Sequence, residues 1–244
     1  MLRILPLLLV LLGMGGALAA FELPAESTQV IVGTAADWDS SYVELALYER
    51  HPGGPWQAVG APWKGRLGRN GLVWGRGLHP VPDGARTKTE GDKRAPAGVF
   101  HLGGAWGYYP SIQKAESLSY VQVTSRDLWY EDPASPHYNL YRRIDHEPRT
   151  AEEKKAQMKQ GDHAHSLKLF IAHNAYPRIQ PGAGSSIFFH IWRNGGNAAT
   201  AGCTTMSEEN LKRLIASVVP ERLPLYVLLP RAEYARYREA WGLP

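Results

Sequence analysis

Glycine and proline punctuate this 244-residue chain so often that few stretches are free to become helices. Residues 65–79, GRLGRNGLVWGRGLH, carry five glycines, and each costs a helix interior about 1 kcal/mol relative to alanine. That spacing favours short strands joined by turns, and the runs between the breaks agree. TQVIVGT at 28–34 has the β-branched content of a strand. YVELALY at 42–48 alternates Val43, Leu45 and Leu47 against Glu44, Ala46 and Tyr48, the pattern of a half-buried strand. HPGGP at 51–55 is turn chemistry and the chain resumes at Trp56, which predicts a β-meander. Shorter strands are predicted from Gly98-Val99-Phe100 and at 121–124, 167–172, 186–192 and 225–230. Helices are predicted only after the capping box Thr150-Ala151-Glu152-Glu153, over 207–218 behind the N-cap Ser207, and over 231–241. In the second of these, Leu211, Leu214, Ile215 and Val218 share one face, and Met206 is placed to staple onto Leu211. The class predicted is mainly β with flanking helices, an α+β arrangement without internal repeat or linker.

The N-terminus reads as an export signal over residues 1–19. Arg3 gives the positive start, Leu5 to Leu12 is almost wholly apolar, and Ala17-Leu18-Ala19 is a small-residue cleavage pattern. The apolar run is well short of the roughly 20 residues a bilayer span needs. The expectation is a protein exported to the periplasm or cell envelope, with no stable membrane span after cleavage and residues 20–244 as a single domain. The formal charge is +4 with Lys and Arg scattered, so no basic stripe points to nucleic acid. No GK[ST] follows the glycines of the loop near Gly98, which excludes a phosphate cradle there.

Export makes the cysteine count informative. Cys203 is the only cysteine, so it has no internal disulfide partner and is inert, pairs between chains, or reacts. A cysteine attacks carbonyls as a thiolate and needs a base or a positive neighbour. His190 supplies a base on a predicted strand whose alternation puts Phe188, His190 and Trp192 on one face and Ile187, Phe189 and Ile191 on the other. Asn194-Gly195-Gly196-Asn197 is expected to turn the chain back toward Cys203. Gly202 leaves room for a sharp turn and a substrate. The helix at Ser207 is expected to bring its positive end and free amides near the sulfur, where those amides are natural oxyanion donors.

These residues resemble the L,D-transpeptidase catalytic domain, the YkuD family. Its strand histidine matches His190, and its Ser/Thr-x-Gly-Cys run matches Thr200-Ala201-Gly202-Cys203, continuing as Thr204-Thr205-Met206. A second stretch, RAPAGVFHLG at 94–103, is similar to the family's T-P-x-G-x-F strand. The likeness runs from about Thr28 to Pro230. Ala201 stands where the family often has a second histidine, and Thr205 where it often has an arginine beside the substrate's anionic groups, which marks a divergent TAGCTTM subgroup. Arg193 or Lys93 is the candidate to replace that arginine, with Trp192 and Thr205 as further substrate-binding candidates. The resemblance implies a β-sandwich or barrel with a helix after the catalytic cysteine, the backbone amides of Gly202, Cys203 and Thr204 as oxyanion donors, peptidoglycan stem peptides as partner, and acyl transfer without metal or organic cofactor.

Other readings stay open in the sequence. A thiol hydrolase cutting stem-peptide or wall-protein links would share every residue named. A noncatalytic wall-binding module would use the aromatics of 104–148, which either pack the core or wall a groove for a sugar or peptide polymer. His163 and His165 form an H-x-H pair that would share a strand face and could hold a metal in a hydrolase.

Overall fold

The computed structural model describes residues 21–244; the expected export signal over 1–19 lies outside them. Strands β1 (Gln29–Ala35), β2 (Tyr42–Glu49) and β3 (Gln57–Arg66) form the expected antiparallel meander, with Val32 opposite Ala46 and Leu45 opposite Trp63. There follow β4 (Leu72–Trp74), β5 (Ala95–Gly107), β6 (Tyr120–Gln122), and a separate pair of β7 (Asp127–Trp129) and β8 (Tyr141–Arg143). Helix α1 (Ala151–Lys155) precedes β9 (Leu167–Ile171), β10 (Phe188–Ile191) and β11 (Thr204–Met206). Helix α2 (Glu208–Ser217), β12 (Leu225–Pro230) and α3 (Arg231–Tyr237) complete the chain.

The main sheet runs β12-β1-β2-β3-β11-β10-β9-β5-β4, and β5 also pairs with β12. That last pairing closes the sheet into a barrel, which removes the open edges a sheet of this length would expose. One core fills it: Ile31, Leu45, Val99, Phe100, Leu169, Phe189, Met206 and Val227 are all fully buried. Helix α2 contributes Leu211, Leu214 and Ile215 to the same core. The mainly β class read from the glycine spacing is the class observed.

Several local expectations need correction, among them the last helix, expected over 231–241 and ending at Tyr237. The short strand expected at Val99-Phe100 is the 13-residue β5, which runs through Pro96, Gly98, Gly103 and Gly104. Its glycines admit close neighbours rather than ending the strand: Gly98 has φ +133°, and a Cβ there would fall 1.8 Å from the His79 ring. The capping box at Thr150 forms as expected, but α1 stops at Lys155 instead of near Gln160. A strand also lies where none was expected, β11, between Cys203 and α2.

Candidate active site

The cysteine and histidine are brought together by adjacent strands. Strand β10 pairs antiparallel with β9 and parallel with β11. His190 is therefore in register with Lys168 on one side and Thr205 on the other, a row across three strands. The connection from β10 to β11 is thus not a hairpin return. It passes through a 3-10 turn at Asn194–Gly196 and comes back to start β11 in the same direction as β10. The predicted face assignment holds within β10. Ile187, Phe189 and Ile191 enter the barrel core, while Phe188 joins a second cluster with Trp106, Trp129 and Met158.

His190 and Cys203 line one cavity of about 400 Å³, together with Thr205, Arg193, Gly202, Lys88, Glu90, Glu131, His165 and Lys168. His190 is 6% exposed. Its Nδ1 lies 2.9 Å from the Ile191 carbonyl and 3.2 Å from that of Ala164. Two acceptors at Nδ1 require the proton there, which leaves Nε2 as the basic nitrogen. The ring stacks on His165, centroids 4.6 Å apart. Burial, then the neighbouring His165, push its pKa down to about 3, so the imidazole is neutral at pH 7.

Cys203 is half-buried and its Sγ donates to the Ser186 carbonyl at 3.4 Å. Burial, and after it the Glu131 carboxylate, push the thiol up to about 11, against the Phe188 N–H, Lys168 and Lys88, which pull it down. The resting pair is therefore a neutral thiol and a neutral imidazole. The expected helix entrance is displaced. Three residues of β11 separate Cys203 from Ser207, the N-cap of α2, and a strand advances about 3.3 Å per residue. The dipole of a helix falls off within its first turn, so the positive charge near the sulfur comes from lysines.

The other expected residues divide. Gly202 has φ +151°, and a Cβ would meet the Arg94 carbonyl at 3.0 Å, so glycine is required there. Its N–H donates to Thr200 Oγ1 at 3.0 Å. Thr204 turns its hydroxyl to Tyr226 in the core, 3.1 Å away. Thr205 lines the cavity, buried, with its hydroxyl toward the Arg66 carbonyl. Arg193 lines the cavity and pairs with Asp162. Trp192 and Lys93 are not among the lining residues: Trp192 packs over Gly196, and Lys93 is exposed with φ 60°. The H-x-H pair sits in a 3-10 turn, not a strand, so its rings part. His163 pairs with Glu208 at 3.0 Å, while His165 Nδ1 lies 2.7 Å from Asp162. The aromatics Trp106 and Trp129 pack beneath the site, with Trp129 4.9 Å from the Phe188 ring, and do not wall the cavity.

Lys168, Lys88, His165, Glu90 and Glu131 were not anticipated as lining residues. Lys168 had a usable signal: if 167–172 and 186–192 are neighbouring antiparallel strands, a lysine at the second position of one can pair across with a histidine of the other.

A closed barrel with a half-buried cysteine, a Nε2-basic histidine and buried lysines in one cavity defines a cysteine-centred β-barrel domain. Residues 61–227 match the model of the L,D-transpeptidase catalytic domain, YkuD. The chain belongs to that family, whose members are L,D-transpeptidase-type enzymes of the cell envelope acting on peptidoglycan stem peptides. No curated protein matches the chain. Among the described residues, no helix is long and apolar enough to cross a membrane.

Proposed function

We propose that this chain is an exported cysteine acyltransferase that forms 3→3 cross-links between peptidoglycan stem peptides, with Cys203 as nucleophile and His190 as general base. In this reading residues 1–19 are the export signal and 20–244 act as one catalytic unit of the TAGCTTM subgroup. The observation that carries it is the shared cavity of Cys203 and His190, with the Nδ1 proton of His190 committed to backbone carbonyls and Nε2 left to accept one.

The thiol and imidazole both start neutral, so proton transfer accompanies attack. Cys203 Sγ bonds to the carbonyl carbon at the L-centre of diaminopimelate as its proton passes to His190 Nε2. The tetrahedral oxyanion is received by backbone amides. The Cys203 amide is favoured among the three expected donors, because the Gly202 N–H already donates to Thr200 Oγ1 and Thr204 lies within the β11 ladder. Collapse breaks the amide C–N bond, and Nε2–H protonates the amine of the departing D-alanine. The amine of a second stem then attacks the thioester, the C–S bond breaks, and the acceptor's proton returns the thiol to its resting form. Arg193 and Thr205 contribute to substrate binding from the cavity wall; Trp192 and Lys93 have no contact with the cavity to support that role.

The test is intact mass spectrometry of the mature protein incubated with disaccharide-tetrapeptide. A Cys203 adduct with release of D-alanine, absent in Cys203→Ala, is expected. No adduct and no D-alanine would overturn the proposal. Cross-linked dimer as product is expected; tripeptide alone would assign hydrolysis instead.

A further inference from the structure

Three cations line the Cys203 cavity, and two of them are already neutralised. Lys88 Nζ pairs with Asp92 at 2.7 Å and donates to the Arg94 carbonyl at 2.8 Å. Arg193 is exposed and pairs with Asp162. Lys168 differs from both. It is 4% exposed, and its one hydrogen bond goes to the Met158 carbonyl at 3.0 Å. No carboxylate pairs with it among the described residues. An ammonium has three donors, so two are left for the cavity. A buried cation without a counter-ion is costly, and is retained where an anion comes to meet it.

The strand register sets which groups neighbour Lys168. Lys168 is paired across the ladder with His190, and its Nζ lies 5.8 Å from the centroid of the Phe188 ring. Phe188 packs with Cys203 in the same cluster, and its N–H faces the sulfur. The charged and titratable groups around Lys168 come from every side. Glu131 follows β7, Asp162 and His165 sit in the turn before β9, His190 is on β10, and Cys203 precedes β11. Neither Glu131 nor Asp162 forms an ion pair with it, and His165 and His190 are neutral, so Cys203 is the lining group that newly becomes an anion during the reaction.

We infer that Lys168 is the positioning residue that poises Cys203, its ammonium stabilising the thiolate in the place of the distant helix N-terminus. The inference deepens the acyl-transfer reading of this site, but concerns a property of the thiol that exists without any peptidoglycan substrate. Burial brings Lys168 down to about 8, and a thiolate at Cys203 is foremost among the charges that would raise it. It is therefore still largely protonated at pH 7.

Alkylation of Cys203 tests this without turnover. The rate with neutral iodoacetamide is measured against pH, and the iodoacetate-to-iodoacetamide rate ratio is measured at pH 7.5, with Cys203→Ala as labelling control. In Lys168→Met the iodoacetamide rate at neutral pH, where Lys168 of the parent is charged, is expected to fall about 10-fold, the equivalent of about one unit in the thiol, and the anionic reagent loses its relative advantage. Lys168→Arg is expected to restore both readouts. A Lys168→Met profile and ratio that superimpose on the parent would overturn the inference, because simple loosening of the site moves both reagents together. Should Lys168→Met not fold, the parent alone decides: its folded-state ratio must exceed the ratio measured in urea, and an equal or lower ratio overturns the proposal. An absent stem-peptide adduct with the lysine effect intact would instead overturn acyl transfer alone.

Discussion

His190 can serve as a base only through Nε2, because the Ile191 and Ala164 carbonyls fix the proton on Nδ1. An asparagine at this position keeps an N–H near Nδ1 and removes the basic atom. His190→Asn is therefore expected to stay folded and to form the stem-peptide adduct about 10²–10⁴-fold more slowly. A rate within threefold of the parent would remove His190 from the mechanism. Gly202→Ala probes the neighbouring backbone. Its φ of +151° and the Arg94 carbonyl at 3.0 Å leave no strain-free place for a Cβ, so a loss of about 1–3 kcal/mol in chemical denaturation is expected, together with weaker Cys203 reactivity. An unchanged unfolding midpoint would show that the loop yields freely. At this scale the cysteine was legible because it is the only one in the chain, and His190, one of nine histidines, because it lies on a strand-like run ahead of the Gly-Cys motif. Lys168 was legible only through the pairing of its strand. A lysine in a strand is ordinarily solvated, and the pairing of β9 with β10 sets this one beside His190, on the face away from the barrel core.

Strand β11 decides what helix α2 can do for the site. Read from sequence, Ser207 and the acidic first turn point to a helix start near the sulfur. In the fold they stabilise α2 at the far end of a three-residue strand. Ser207 Oγ accepts from the Asn210 N–H at 3.2 Å, and Leu211, Leu214 and Ile215 anchor the helix in the core. Ser207→Ala is expected to cost about 1 kcal/mol of stability through the lost cap. The same variant is expected to leave the pH profile of Cys203 alkylation in place, because the helix end is too far to set it. A profile moved upward by half a unit or more would return the dipole to the site and weaken the case for Lys168. The helix itself was legible from its cap and apolar spacing. The strand before it was not, since Thr204-Thr205-Met206 is too short to show periodicity and forms because β10 and β3 flank it.

The barrel as a whole closes through partners far apart in sequence. Gly98–His101 of β5 pair with Leu225–Leu228 of β12, and neither run carries a local sign of the other, so closure was beyond a reading of strand-like runs. Closure also buries His79, His173 and His190. His173 is fully buried, its Nδ1 accepting from the Arg76 N–H at 3.1 Å and its Nε2 facing the Ala183 carbonyl at 2.9 Å. His79 accepts from the Val99 N–H at 2.9 Å. Burial lowers His79 and His165 to about 4 and His173 and His190 to about 3. In the unfolded chain each returns to about 6.5. Between these values the unfolded state holds protons that the folded state does not, so stability rises with pH across the window and levels off above about 6.5. Falling pH must therefore unload stability from about 6.5 downward, each histidine contributing up to about 1.4 kcal/mol per pH unit. Carboxylates held low, such as Asp92 with its Lys88 partner, act in the same direction but only nearer their own range. Urea unfolding midpoints are expected to be nearly constant from pH 7.5 to 6.5 and to drop steeply by pH 5. His173→Gln is expected to flatten part of that drop, even if it lowers the plateau, because it removes one of the protons taken up on unfolding. A midpoint unchanged down to pH 5 would mean that these imidazoles accept protons in the folded barrel, and would also withdraw the neutral His190 on which the proposed proton transfer depends.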